Sequence, residues 1–250
     1  ESSLTISDSQ AVEALQQTLE DKNEDTVLHA LEMVPFAHRH DWSSELGRLL
    51  GHESPKIRLQ AIRLLEREVN HSHMDQILAR FNDPDTDVRA EAVISYCTNM
   101  GEKALPLVEP LLRDESVRVR AAAVVGLVRF GGLDGIVAAA DVLKAMVESG
   151  SPAHRRAGAW AIGKIGIKTF FRSLLALFDD DEPAIRVEAV KAAGQLKCQE
   201  LILPLIYQLA DVHTAKAAVD SLGRMGPSLL TTLRTVLDNP QEDPEIRQAI

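Results

Sequence analysis

Aromatic side chains are scarce in this 250-residue chain, at 4% of the total: two Trp, two Tyr and six Phe. A core must therefore be built from Leu, Ile, Val and Ala, and few rings are available to stack on nucleic-acid bases. Cysteine is scarcer still. Cys97 and Cys198 stand far apart and make neither a disulfide framework nor a metal knuckle, which suits a reducing compartment. No apolar run approaches the roughly 20 residues that cross a bilayer, and the longest candidate, Leu201 to Ala210, contains Pro204. The first residues have no signal-peptide pattern. Basic charge is also in deficit: 27 Lys and Arg against 37 Asp and Glu leave a net charge of −10, which argues against a chain built mainly to clasp a phosphate backbone. These absences together predict a cytoplasmic segment that does not insert into a membrane.

What the chain does have is a period. The arginine in PKIRLQAI, TDVRAEAV, VRVRAAAV, AHRRAGAW and AIRVEAVK falls at Arg58, Arg89, Arg120, Arg155 and Arg186, at intervals of 31, 31, 35 and 31. Projection outward reaches Val27, Ala215 and Arg247. Three residues beyond each slot stand Ala30, Ala61, Ala92, Ala123, Gly158, Ala189, Ala218 and Ile250, all small but the last. A fixed period of this size marks an array in which no unit buries its apolar face alone and each stacks on its neighbours.

Each period reads as two helices. Ser54-Pro55, Ser151-Pro152 and Asp243-Pro244 mark starts of second helices, with Pro183 in the same role and Asp83-Pro84 displaced by two. Gly101, Gly131-Gly132, Gly166 and Gly226 mark their ends. The pattern predicts first helices near 8–20, 41–51, 73–81, 102–113, 134–148, 168–179, 199–210 and 227–238. Second helices are expected near 24–35, 55–68, 85–99, 116–130, 152–165, 183–196, 213–224 and from 244 onward. The expectation is an all-α solenoid of stacked antiparallel helix pairs, one domain over 1–250, with about seven full repeats and a truncated eighth. An Asp six residues before the slot, at Asp21, Asp83, Asp114 and Asp180, suggests an Arg–Asp ladder that clamps successive repeats. Val27 and Ala215 lack that clamp.

The stretches DPDTDVRAEAV (83–93), RDESVRVRAAAVVGL (113–127) and DDEPAIRVEAVKAAGQL (180–196) resemble HEAT repeats, particularly the short bacterial kind also found in phycobilin lyases. The resemblance covers nearly the whole chain. It implies a superhelical binding surface or scaffold in the bacterial cytoplasm. The order EDTVLHALEMV, LLGHESPKIRLQAIRLLE, FNDPDTDVRAEAV is similar to the HEAT segment of multidomain bacterial proteins. Those also carry a nucleotide-transporter-like membrane part and a cyclic-nucleotide-binding domain. That likeness, with the missing initiator Met and the abrupt EIRQAI end, implies a segment of a longer, membrane-anchored polypeptide.

Motifs for chemistry are weak. Gly158-Ala159-Trp160-Ala161-Ile162-Gly163-Lys164 matches seven positions of a phosphate-binding loop, but Ile165 replaces the hydroxyl residue and the stretch falls inside an expected helix. His38-x-His40 and His71-x-His73 lack a carboxylate or cysteine at ligand spacing and read as surface histidines. His52-Glu53 is similar to the His-Glu pairs of HEAT-like deoxyhypusine hydroxylases, which use several such pairs where this chain has one. Asn70-His71-Ser72 matches a glycosylation acceptor that has no role without secretion. The chain accordingly reads as a non-enzyme with no catalytic residue, metal or cofactor.

Residues one, five and nine after the slot share one helical face, which the solenoid geometry assigns to the concave side. The first column is Leu59, Ala90, Ala121, Arg156, Val187 and Lys216. The second is Arg63, Ile94, Val125, Trp160, Lys191 and Asp220, and the third is Arg67, Thr98, Arg129, Lys164, Gln195 and Arg224. Eight of these eighteen are basic and one is acidic, so acid should concentrate on the convex face and the turns. The expected site is a basic groove (Arg63, Arg67, Arg129, Arg156, Lys164, Lys191, Lys216, Arg224) with apolar patches at Ile94, Val125 and Trp160. It would suit an acidic peptide, a partner helix or a neighbouring domain. Against this, the helix dipole alone favours Lys and Arg in the third column, and Ile94, Val125 and Trp160 suit a core equally well. Two rival functions remain on resemblance: chromophore handling, as in phycobilin lyases, and nucleic-acid binding, as in HEAT-like alkylpurine DNA glycosylases.

Overall fold

The computed structural model describes residues 9–37, 40–66, 73–241 and 243–250, and every regular element among them is helical. The chain divides into two compact units, Glu1–Gly135 and Ile136–Ile250. The one long interval of the period, from Arg120 to Arg155, contains the division.

In the first unit helices alternate as expected: α1 (Ser9–Thr18) with α2 (Glu24–Met33), α3 (Ser43–Leu49) with α4 (Pro55–Leu65), α5 (Met74–Ala79) with α6 (Thr86–Met100), and α7 (Leu105–Val108) with α8 (Val117–Phe130). Helix α9 (Gly132–Val147) begins at the end of this unit. The second unit carries the rest of α9 with α10 (Pro152–Ile165), α11 (Phe171–Phe178) with α12 (Pro183–Leu196), α13 (Ile202–Tyr207) with α14 (Ala215–Leu222), and α15 (Ser228–Asp238) with α16 (Pro244–Ala249).

The second helices start where their caps stand. Asn23 accepts from the N–H groups of Asp25 and Thr26, and Ser54 from that of Ile57. Asp85 accepts from Asp87 and Val88, which explains why Pro84 sits two residues early: it precedes the cap instead of opening the helix. Apart from α9, first helices are shorter than expected. The stretch expected as one helix over 102–113 breaks into a 3-10 turn (Gly101–Ala104), the single turn of α7 and a second 3-10 turn (Glu109–Arg113). Pro106 and Pro110 lack the N–H that continuous helix would need. Pro204 likewise leaves a 3-10 turn at Gln199–Leu201 before a six-residue α13.

Packing follows from small residues. Within the first unit α2 lies on α4, α4 on α6 and α6 on α8; within the second α10 lies on α12 and α12 on α14. The residue three after the slot is fully buried at Ala61, Ala92, Ala123 and Ala189. The residue eight after the slot in one helix meets the residue six after it in the next. Thus a Cβ added to Gly163 would lie 2.9 Å from Ala192, and one added to Gly194 would lie 2.6–2.8 Å from Ser221. The same crossing pairs Cys97 with Gly126. Gly158 and Gly163, the glycines of the phosphate-loop match, are therefore spacers inside α10. Gly158 faces Val147 and Met146. At the helix ends Gly166 takes the left-handed conformation after α10 (φ 73), and Lys197 takes it after α12 (φ 49).

Candidate interaction surface

The slot arginines organise the edge of the stack. Arg58 donates from Nε and Nη2 to the two carboxylate oxygens of Asp83, 2.9 and 2.6 Å away, while its Nη1 donates to the carbonyls of His52 and Glu53 at 2.8 Å. Asp83 belongs to the next repeat, so one guanidinium ties its own turn to its neighbour's. Arg155 repeats the pattern with Asp180 (2.6 and 2.9 Å) and the carbonyls of Ser149 and Gly150. Arg186 donates to Asp211 at 2.9 Å and to the carbonyls of Asp180 and Asp181. Arg89 and Arg120 hold their own turns at the carbonyls of Asp83 and Asp114. The ladder thus runs forward, from Arg to the Asp that lies 25 residues on.

Burial alone would push the Asp83 carboxyl up. The Arg58 hydrogen bonds, the N–H of Asp85 and the positive charges of Arg58 and Arg80 outweigh it and hold the carboxyl below its ordinary 3.8. At Asp180 the Arg155 hydrogen bond is the leading cause of the same depression. Asp211 is lowered too, because the His213 N–H and Arg186 overcome its burial.

The expected outward face is only partly outward. Ile94 (3% exposed), Val125 (0%) and Trp160 (9%) are buried, and so are Ala90 and Ala121. This corrects the expected apolar patches. Second helices pack on neighbouring second helices as well as on first-helix elements, and buried residues run continuously over Ala90–Cys97 and Ala121–Val128. The basic residues do reach solvent: Arg63, Arg129, Arg156, Lys191, Lys216 and Arg224 are exposed and Lys164 half-buried, while Arg67 lies outside the described residues. Lys164 Nζ sits 5.9 Å from the Trp160 ring centre, and the Arg129 guanidinium 4.8 Å from that of Phe130.

Acid also occurs on the second helices. Glu91, buried on α6, lies 3.3 Å from Arg63, and Glu188 on α12 lies 3.7 Å from Arg156. Both stand two residues after a slot arginine. Sequence reading passed over them because it followed only the three outward columns; the near-period spacing of each pair was the signal available.

The remaining chemical candidates have structural partners. His40 contacts Gln16 Nε2 at 3.2 Å and Glu45 Oε1 at 3.3 Å, and packs edge-on to Trp42. His52 Nδ1 accepts the Ser54 N–H, and His73 crowds Gly47. His38, His71 and the Asn70-His71-Ser72 match lie outside the described residues. Cys97 and Cys198 are free, buried thiols. Burial pushes the Cys97 thiol up to about 12.

Comparison with known proteins bears on the repeat itself. A family model described as HEAT repeats matches residues 43–128, 74–159, 139–211 and 171–250. A search of curated proteins finds no significant match. Solved structures similar to this chain include human deoxyhypusine hydroxylase in complex with glycerol, at 16% identity over 96% of this chain and 93% of that one, with a TM-score of 0.49. The CpcE–CpcF complex of phycocyanin lyase from Nostoc is 18% identical over 84% and 85%, with a TM-score of 0.48. Importin beta is 16% identical over 94% of this chain and 40% of that one, at 0.46.

Proposed function

The chain belongs to the HEAT-repeat family, and on that footing we propose that it is a non-catalytic scaffold whose second-helix surface binds a protein partner or a neighbouring domain. One observation carries the reading. Helices α8, α10, α12 and α14 are buried along at least half of their length, yet Arg129, Lys191, Lys216 and Arg224 are held in solvent on or beside them. Charge displayed on an otherwise sequestered element serves recognition better than packing. Among the described residues His40, His52, His73, the two buried thiols and the slot arginines are taken up by capping, packing and clamping, as described above.

The test is affinity capture from cells of the natural source with quantification by mass spectrometry. A variant carrying Arg129→Glu, Lys164→Glu and Lys191→Glu should lose at least one partner that the unaltered chain retains. Full retention of every captured protein, or stoichiometric binding of a bilin by the unaltered chain, contradicts the proposal.

A further inference from the structure

We infer that the second-helix face of the unit Ile136–Ile250 docks an acidic segment of a partner polypeptide, held by Lys164, Lys191, Lys216 and Arg224. The inference rests on the scaffold reading and gives its partner a chemistry.

Three cations on the second helices of the other unit have counter-ions built in, whereas its Arg129 lies 4.8 Å from the Phe130 ring centre. Lys56 reaches Glu24 at 2.9 Å, Arg63 reaches Glu91 at 3.3 Å and Arg118 reaches Asp87 at 3.0 Å, each acid lying on the adjacent second helix. Periodic equivalence locates what is missing in Ile136–Ile250. Lys191 stands five residues after its slot, as Arg63 does, but the position equivalent to Glu91 on the next helix is Ala217, an alanine that is itself buried. Lys216 stands one residue after its slot, as Arg156 does. The position equivalent to Glu188, Arg156's partner, is Ala249. Among the described residues Lys191, Lys216 and Arg224 make no ion pair, and the recorded contact of Lys164 is with the Trp160 ring.

Helix electrostatics explains only half of this row. Lys164 lies in the last turn of α10 and Arg224 just past the end of α14, where the dipole favours cations. Lys191 is in the interior of α12. Lys216 is in the first turn of α14, where the dipole opposes it. A cation placed against the dipole and without its counter-ion is best accounted for by an anion from outside.

The row also selects the kind of anion. Asp220 and Glu188 stand among these cations, so the positive charge is interrupted. A nucleic acid presents a charge about every 1.7 Å and would meet those carboxylates. Packed helices are about 8–10 Å apart, and an extended peptide advances about 10 Å in three residues. Carboxylates spaced about every third residue therefore match the step from one helix to the next.

The experiment is fluorescence anisotropy of a labelled peptide repeating Glu-Ser-Gly, titrated with the full chain at low salt. Binding is expected, with affinity reduced about tenfold or more in Lys191→Glu/Lys216→Glu and by a smaller factor in Lys191→Gln/Lys216→Gln. Arg172→Glu/Arg234→Glu, exposed cations on first helices, should change it less than about twofold. No binding by the unaltered chain, an equal loss in the Arg172/Arg234 variant, or tighter binding of a single-stranded oligonucleotide of matched length overturns the inference. Loss of a captured cellular partner on charge reversal, together with failure of the peptide, would leave the scaffold reading standing and remove only the acidic chemistry.

Discussion

Arg58 and Arg89 occupy the same place in successive repeats yet hold different partners, and the difference has a measurable size. The Arg58 side chain is 7% exposed and its Asp83 partner 0%, so Arg58→Ala leaves a carboxylate buried without its main counter-ion. Breaking such a pair costs about 3–5 kcal/mol. Arg80, 3.5 Å from Asp83, compensates in part and places the effect at the lower end. Arg89→Ala removes bonds to backbone carbonyls and a threonine hydroxyl, and should cost about 1–2 kcal/mol. Urea unfolding of the two variants measures the gap. The same pairs set a pH dependence. Asp83, Asp180 and Asp211 have carboxyls depressed below 3.8 in the folded chain. Their contribution is complete above that unfolded value and is lost as pH falls through the lower folded values. Stability should therefore fall on acidification below pH 3.8, and less steeply in Arg155→Ala, where Asp180 has lost the partner that lowers it most. The clamp was legible in the sequence because Arg and Asp recur at fixed spacing. The fate of Ile94, Val125 and Trp160 was not, because an apolar residue on an Ala-rich helix fits an outward stripe and a core stripe equally well until the neighbours are placed.

At the scale of the helix, the decisive contacts lie where second helices cross. Gly194 meets Ser221 where even one added carbon lies under 3 Å, so Gly194→Val should cost about 1–3 kcal/mol through overpacking. Thermal unfolding reads this directly. Lys197, left-handed at the end of α12, invites the opposite change: Lys197→Gly should stabilise by about 1 kcal/mol, since glycine takes that conformation without the Cβ penalty. Second-helix boundaries were legible from proline, cap and glycine punctuation. First helices were less so, because their prolines fall inside the elements: Pro106 and Pro110 reduce a twelve-residue expectation (102–113) to α7 and two 3-10 turns.

At the scale of the molecule, a repeat array gains stability from nearest-neighbour contacts and leaves its outer faces free for recognition. The clamps, the small-residue crossings and the matched charge pairs all serve stacking, and on the proposed reading Lys191, Lys216 and Arg224 are the cations that meet a partner. The most direct measurement is photo-crosslinking in cells, with a photoreactive residue placed singly at Arg129, Lys191 or Lys216 on second helices and at Glu109, Arg172 or Arg234 on first elements. The account predicts partner adducts from the second-helix positions and none from the first-element positions; adducts confined to Glu109, Arg172 and Arg234 would contradict it.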